Sequence, residues 1–245
     1  MAYGWVDGEA HWLEVPGAAM FRYVPGAGEI VAIPDRGGSD GIVEDAYLNL
    51  ALPLALQLCG LEALHASAVR LAEGVVAFCA LSGTGKTTVA CGLGARGQGW
   101  WADDAVIFEA EDEGPVLTHR IPFHANVRPE TRAALGVDAE EASESGWTGE
   151  AVPLAAVVLL ERDVAAADVE LVRLPTPDAL RALEPHAHRF NLGDLERKRR
   201  TMQAYLRLTA RVPILHARFV PGFDRLGSVL DDLEHEIGEV LREAP

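Results

Sequence analysis

The stretch CALSGTGKTTVA, Cys79 to Ala90, gathers the residue types that handle phosphate. It fits the spacing G-x-x-x-x-G-K-[ST], except that Ala80 stands where the first glycine is expected. If a strand feeds this loop and a helix leaves it, the N–H groups of Gly83, Thr84, Gly85 and Lys86 would cradle phosphate oxygens at the helix N-terminus, where the dipole favours anions. Lys86 would reach the terminal phosphates and the Thr87 hydroxyl would ligate Mg²⁺. The expected nucleotide-binding set is therefore Ser82, Gly83, Thr84, Gly85, Lys86, Thr87 and Thr88. Lys86 is one of only two lysines among 21 basic residues, so it is not one of many interchangeable surface charges.

Asp103 and Asp104 follow the loop after one helix-length segment. Phosphoryl transfer to a hydroxyl needs one carboxylate to accept the proton and another to hold Mg²⁺, and adjacent carboxylates can divide those roles. His65 opens HASAV, one strand-turn-strand unit before the loop, which could bring its imidazole near the γ-phosphate. Arg120, His124 and Arg128 could line an acceptor side or be plain loop residues. The basic cluster ERKRR, Glu196 to Arg200, reads as a solvated helix face opposite Leu195, Met202 and Leu206, or as an anion clamp. HAHRF, His186 to Phe190, lacks a third ligand at metal-binding spacing.

These residues need elements to hold them. LHASAVRL and GVVAFCAL are expected strands, Thr87 to Arg96 an expected helix ending at Gly97, and WWADDAVIF a strand interrupted by the two carboxylates. In a doubly wound sheet, ligands collect at the carboxyl ends of the strands. Upstream, Glu9 to Ile33 suggests two or three short strands, and Ile42 to Leu58 a buried helix kinked at Pro53. Downstream, Val137 to Ala151 lacks periodicity and reads as a mobile loop. VPLAAVVLLE, VELVRL and PILHARF are expected strands, with helices over Asp194 to Arg211 and Asp224 to Arg242. The division predicted is a small β-rich N-terminal element at residues 1–41 and an α/β core with C-terminal helices at 42–245.

Composition limits the partners. The net charge of −16 opposes binding to a polyanion, so nucleic acid is not expected. No apolar run reaches a membrane span and no signal peptide is apparent, which gives a cytoplasmic location and no membrane partner as expectations. The three cysteines, Cys59, Cys79 and Cys91, lie in apolar stretches without CxxC spacing and read as buried thiols.

From Leu61 to Phe108 the order of His65, the loop ending at Lys86 and Thr87, the Arg96-Gly97 turn and Asp103-Asp104 resembles the core of HPr kinase/phosphorylase. It resembles still more the small HPr-kinase-like enzymes of peptide natural-product pathways, including lasso-peptide kinases, which share the LHASAV block. Beyond Phe108, to about Glu239, only the order of strands and helices is similar. The resemblance implies an α/β, phosphoenolpyruvate-carboxykinase-like P-loop (Walker A) kinase core. It also implies Asp104 as proton acceptor, Asp103 beside it near the metal, and catalytic roles for Lys86 and His65. The family's acidic metal ligand downstream has no counterpart, with only Glu130 nearby. The Pro-Gly-Arg-Asn segment associated with the phosphorylase reaction is missing.

The expectation is an ATP- and Mg²⁺-dependent kinase acting on a hydroxyl, with a serine of a small protein or ribosomally made peptide as substrate. A small-molecule kinase and a nucleotide-binding regulator without efficient turnover are the alternatives. Whether the chain forms a homo-oligomer is open.

Overall fold

The computed structural model describes residues 2–137, 149–188 and 195–243. Most of the expected mobile loop after Val137, together with Arg189, Phe190 and Asp194, lies outside them.

The chain opens with an antiparallel meander of four strands, β1 (Tyr3–Asp7), β2 (Ala10–Val15), β3 (Ala19–Tyr23) and β4 (Ile30–Pro34). Over Glu9 to Ile33, where the sequence suggests two or three strands, there are three, β2 to β4, and β1 precedes them. The first, YGWVD, is exposed along its whole length and so carries no alternating pattern to reveal it. Its Trp5 ring stacks on Trp12 across the pair, with centroids 5.9 Å apart. The inner face, with Leu13, Ala19 and Phe21, packs on Ala46, Ala51 and Leu54 of the helical run that follows.

That run is continuous but changes pitch, from α1 (Asp40–Ala46) through a π-helical turn at Tyr47–Ala51 into α2 (Leu52–Leu58). The Leu52 N–H bonds to the Tyr47 carbonyl, five residues back. The widened turn admits Pro53 into the first turn of α2, where its missing N–H costs least. A side-chain cap from Ser39 to the Ile42 N–H starts the run.

The main sheet is mixed. Its strands are β5 (Glu62–Leu64), β6 (Ala66–Leu71), β7 (Gly74–Cys79), β8 (Gly99–Ala102), β9 (Val106–Glu109), β10 (Leu117–His119), β11 (Ala151–Arg162), β12 (Glu170–Arg173) and β13 (Ile214–Phe219). They run in the order β5-β9-β10-β11-β7-β6-β8, with β13 beside β11 and β12 beyond it. Only β7 with β11 and β11 with β13 pair in parallel.

Helices cover both faces: α5 (Thr176–Leu183) and α6 (Leu195–Arg211) on one, α3 (Lys86–Ala95) and α7 (Leu226–Glu243) on the other, with the short α4 (Pro129–Leu135) beside α3. Strand β7 shows why its sequence has no polar alternation. Val75, Ala77 and Cys79 face the core under α5 and α6, while Val76, Phe78 and Ala80 face the core under α3 and α7. Gly92 lets α3 and α7 approach closely, since a Cβ there would lie 2.5 Å from Leu230 Cδ1.

Two expectations change. Cys79 and Cys91 are buried, but Cys59 is exposed, where the Tyr23 hydroxyl and its thiol hydrogen-bond at 2.9 Å. On α6, Leu195, Met202 and Leu206 face solvent, while Arg197 of the basic cluster turns inward. Its guanidinium donates to Gln57 Oε1 at 2.6 Å, so a desolvated charge takes a place that periodicity gives to an apolar residue.

Candidate active site

The strand expected over LHASAVRL breaks at His65, because β5 pairs with β9 and β6 pairs with β7 and β8. His65 therefore sits at a junction, at the edge where β7, β8, β11 and β13 all end. Strand β8 is antiparallel to β6 and so runs in the direction of β7. The loop, the Asp pair and the segments after β11 and β13 are thus brought to one edge of the sheet, as the rule for open α/β sheets expects.

The glycine loop, Ala80 to Gly85, follows β7 and opens α3 directly. Gly83 and Gly85 adopt φ of 83° and 122°, backbone that side chains rarely tolerate. Lys86 is 7% exposed, and its Nζ donates to the Ala80 carbonyl at 3.2 Å. The Thr87 hydroxyl reaches Asp103, 3.0 Å from Oδ1 and 3.3 Å from Oδ2.

Asp103 is only 2% exposed and is held from three sides. Besides Thr87, the Ser67 hydroxyl donates to Oδ1 and the Asn126 N–H donates to Oδ2 at 3.3 Å. Burial pushes its carboxyl up to about 6, the hydrogen bonds from Ser67, Thr87 and Asn126 acting against that rise and the Asp104 charge adding to it. A hydroxyl beside a buried carboxylate is a hard-oxygen donor set that suits Mg²⁺. Among the described residues there is no cluster of three or more His, Cys, Asp or Glu that could hold a metal.

Asp104 is the only non-glycine residue with positive φ, 61°, among the described residues. The Ala105 N–H bonds to the Asp103 carbonyl at 2.8 Å, closing a γ-turn of the rare positive-φ form with Asp104 at its apex. Two imidazoles grip the Asp104 carbonyl, His65 through Nδ1 at 3.1 Å and His188 through Nε2 at 3.3 Å. A carbonyl only accepts, so each of those nitrogens carries its proton. The two rings meet edge to face with centroids 5.7 Å apart. Burial lowers the pKa of both His186 and His188.

Behind His188 lies a buried polar network. Gln57 Nε2 donates to the His188 carbonyl at 2.9 Å and to Glu62 at 3.2 Å, and Thr201 donates to Glu62 at 2.9 Å. Burial raises the Glu62 pKa. Arg197, beside Gln57, gives the basic cluster a positioning role at this one residue.

A cleft of about 500 Å³ brings together His65, Ser82, Gly83, Gly85, Lys86, Thr87, Thr88 and Asp104. Asn126, Arg128, Glu130 and Arg162 line it too. Asp103 lies beneath this cleft rather than in its wall, and Thr84 lines an adjoining cavity. Arg120 and His124 are elsewhere. Arg120 donates to the Trp100 carbonyl at 3.1 Å and lies over the Trp101 ring, while Asp45 and Glu44 pair with His124 at 3.0 and 3.4 Å. Cys79 offers no nucleophile, since burial pushes its thiol up to about 12.

Sequence reading missed Ser67, Asn126, Arg162 and His188. Ser67 did leave a signal, as the lone hydroxyl in an otherwise apolar run of β6. Arg162 left none, though its Nε donates to the Thr84 carbonyl at 2.9 Å and anchors the side chain over the loop.

No helix among the described residues is long and apolar enough to cross a membrane. No family model matches the chain, and no curated protein matches it. Among solved structures, the HPr(Ser) kinase/phosphatase from Coxiella burnetii is similar with a TM-score of 0.38 and 10% identity, over 72% of this chain and 98% of that one.

Proposed function

We propose that the chain is an ATP- and Mg²⁺-dependent kinase with a P-loop core of the HPr-kinase type, phosphorylating a hydroxyl, with a serine of a small protein or peptide as the acceptor class. The observation that carries this is one cleft lined at once by the phosphate loop, Lys86 and Asp104, with Asp103 hydrogen-bonded to Thr87 under its floor.

In this mechanism the N–H groups of the loop and the Lys86 ammonium hold the β- and γ-phosphates. Thr87 and Asp103 would hold Mg²⁺, which supplies charge neutralisation on the transferring phosphoryl group. The acceptor oxygen forms its bond to the γ-phosphorus as the bond to the β-phosphate oxygen breaks, and ADP leaves. The Asp104 carboxylate takes the hydroxyl proton, its backbone fixed by His65 and His188. Arg162 and Arg128, in the cleft wall, are placed to neutralise the charge that spreads over the equatorial oxygens.

Incubation of the protein with γ-labelled ATP, Mg²⁺ and serine-containing peptide or protein acceptors tests this. Label on a serine hydroxyl is the expected result. Label on a small alcohol alone makes it a small-molecule kinase, and tight ATP binding without transfer to any acceptor makes it a nucleotide-dependent regulator.

A further inference from the structure

The cleft beside the loop is predominantly polar, with Val127 and Phe223 as its large apolar side chains. A second cavity of about 330 Å³ lies against it, at the carboxyl ends of β11 and β13. Its walls are largely apolar, with Val89, Phe219, Val220, Pro221, Phe223, Leu226 and Val229. The two spaces share Gly85, Thr88, Arg162 and Phe223, so they are continuous around the first turn of α3. Asp104 and His65 line only the polar cleft, toward the β6 and β8 side. Donor and acceptor sides are thereby separated by the loop.

We propose that this apolar cavity seats the purine base of the nucleotide, with Phe223 as the ring it stacks on and Arg162 bridging base and phosphates; the proposal rests on the loop being a phosphate site. A ligand with a flat apolar head and a polyanionic tail fits a pocket whose apolar half opens onto a phosphate loop. Phe223 is 51% exposed despite its size, and it stands in the wall common to both spaces. Arg162, anchored through Thr84, has a terminal nitrogen 3.9 Å from where a Cβ on Gly85 would lie, over the loop backbone. The apolar side chains of this cavity recognise the base by contact rather than by reading its edge. Adenine and guanine are therefore accepted similarly, while inorganic tripolyphosphate gains nothing from the cavity.

The test is calorimetric titration of ATP, GTP and inorganic tripolyphosphate, each with Mg²⁺, into the wild type, Phe223→Ala and Phe223→Trp. The exposure of Phe223 makes its truncation compatible with folding, and the Trp variant keeps a stacking ring. Loss of one base-stacking ring is expected to weaken ATP and GTP about tenfold in Phe223→Ala, near the low end of the usual range. Tripolyphosphate binding should stay within about twofold, and Phe223→Trp should bind ATP as the wild type does.

An equal loss for ATP and tripolyphosphate, or no loss for either, overturns the base seat and leaves the phosphate loop standing. So does a Phe223→Ala effect confined to the KM of a peptide acceptor, which would make the cavity a side-chain pocket for the acceptor. Wild type that binds neither ATP nor tripolyphosphate overturns the phosphate-loop reading, and the base seat with it.

Discussion

The amide of Ala105 bonds to the carbonyl of Asp103 at 2.8 Å, and the residue between them, Asp104, is forced into left-handed backbone. A non-glycine residue in this conformation costs on the order of 1–3 kcal/mol and persists where the surroundings fix it. Here the surroundings are two imidazoles on one carbonyl oxygen. Asn shares with Asp a tolerance for left-handed backbone, so Asp104→Asn should keep the turn while removing the proton acceptor. Single-turnover transfer at saturating ATP is expected to fall roughly 10²- to 10⁴-fold, with ATP affinity almost unchanged. Wild-type transfer by this variant would remove Asp104 from the chemistry.

Asp103 should show a cost in stability. Its carboxyl titrates near 6 when folded, against 3.8 ordinarily, so between about pH 4 and 6 the folded protein binds more protons than the unfolded chain. Stability from this group is therefore greatest at low pH and declines as pH rises through about 6. The displacement corresponds to a few kcal/mol in the metal-free protein. Thermal melts of Asp103→Asn without metal should show a higher Tm than wild type at pH 7.5, with the gap closing by pH 4. A lower Tm at pH 7.5 would mean that the hydrogen bonds from Ser67, Thr87 and Asn126 outweigh the burial.

Thr87→Val keeps the shape of the loop and removes the hydroxyl that bridges it to Asp103. The Mg²⁺ concentration giving half-maximal transfer should rise about tenfold or more, since a metal ligand and its partner contact are both lost. An unchanged Mg²⁺ titration would place the metal elsewhere. In Lys86→Ala, transfer should collapse by orders of magnitude at any Mg²⁺ concentration.

His188 holds Asp104 and does not need to touch substrate. Replacing it by Ala removes one net hydrogen bond, worth about 1 kcal/mol, so kcat should fall roughly fivefold while ATP affinity holds. His188→Gln places an amide donor near the Nε2 position and should restore most of the loss. Since burial lowers the His188 pKa from 6.5, the ring stays neutral further into acid than a free imidazole, and its contribution to stability, complete above the ordinary value, is lost as pH falls from there through the lowered value. Equal damage from Ala and Gln, seen in kcat and melting alike, would reduce His188 to a packing residue.

The glycine loop between β7 and α3 was legible because it is local: Gly83, Gly85, Lys86 and Thr87 are neighbours in sequence. The single strand expected over WWADDAVIF was legible from its apolar flanks, but it divides at Asp103 and Asp104 into β8 and β9, which pair with different neighbours. What lay hidden was set by tertiary contact. The break at His65 comes from its flanking strands choosing different partners, which β-propensity does not encode. The positive φ of Asp104 has no glycine to announce it. Arg197 points inward because Gln57, 140 residues away, supplies its acceptor. The helical periodicity of α6 was correct, but its phase was misread, since exposed Leu195 and Met202 looked like the buried stripe.

The buried network behind His188 also sets an order of events in folding. His65, the loop and the Asp pair lie within 40 residues, whereas Gln57 reaches the His188 carbonyl across 131 positions and Arg197 across 140. Contacts of such separation form late, because chain closure precedes any gain from them. During synthesis the phosphate loop emerges about a hundred residues ahead of His188. The seat proposed for the base, at Phe219 and Phe223, emerges later still, so a growing chain completes its nucleotide site only after His188 is available to lock Asp104. Capacity to bind and capacity to transfer would be acquired together, when the last third of the chain closes over the first.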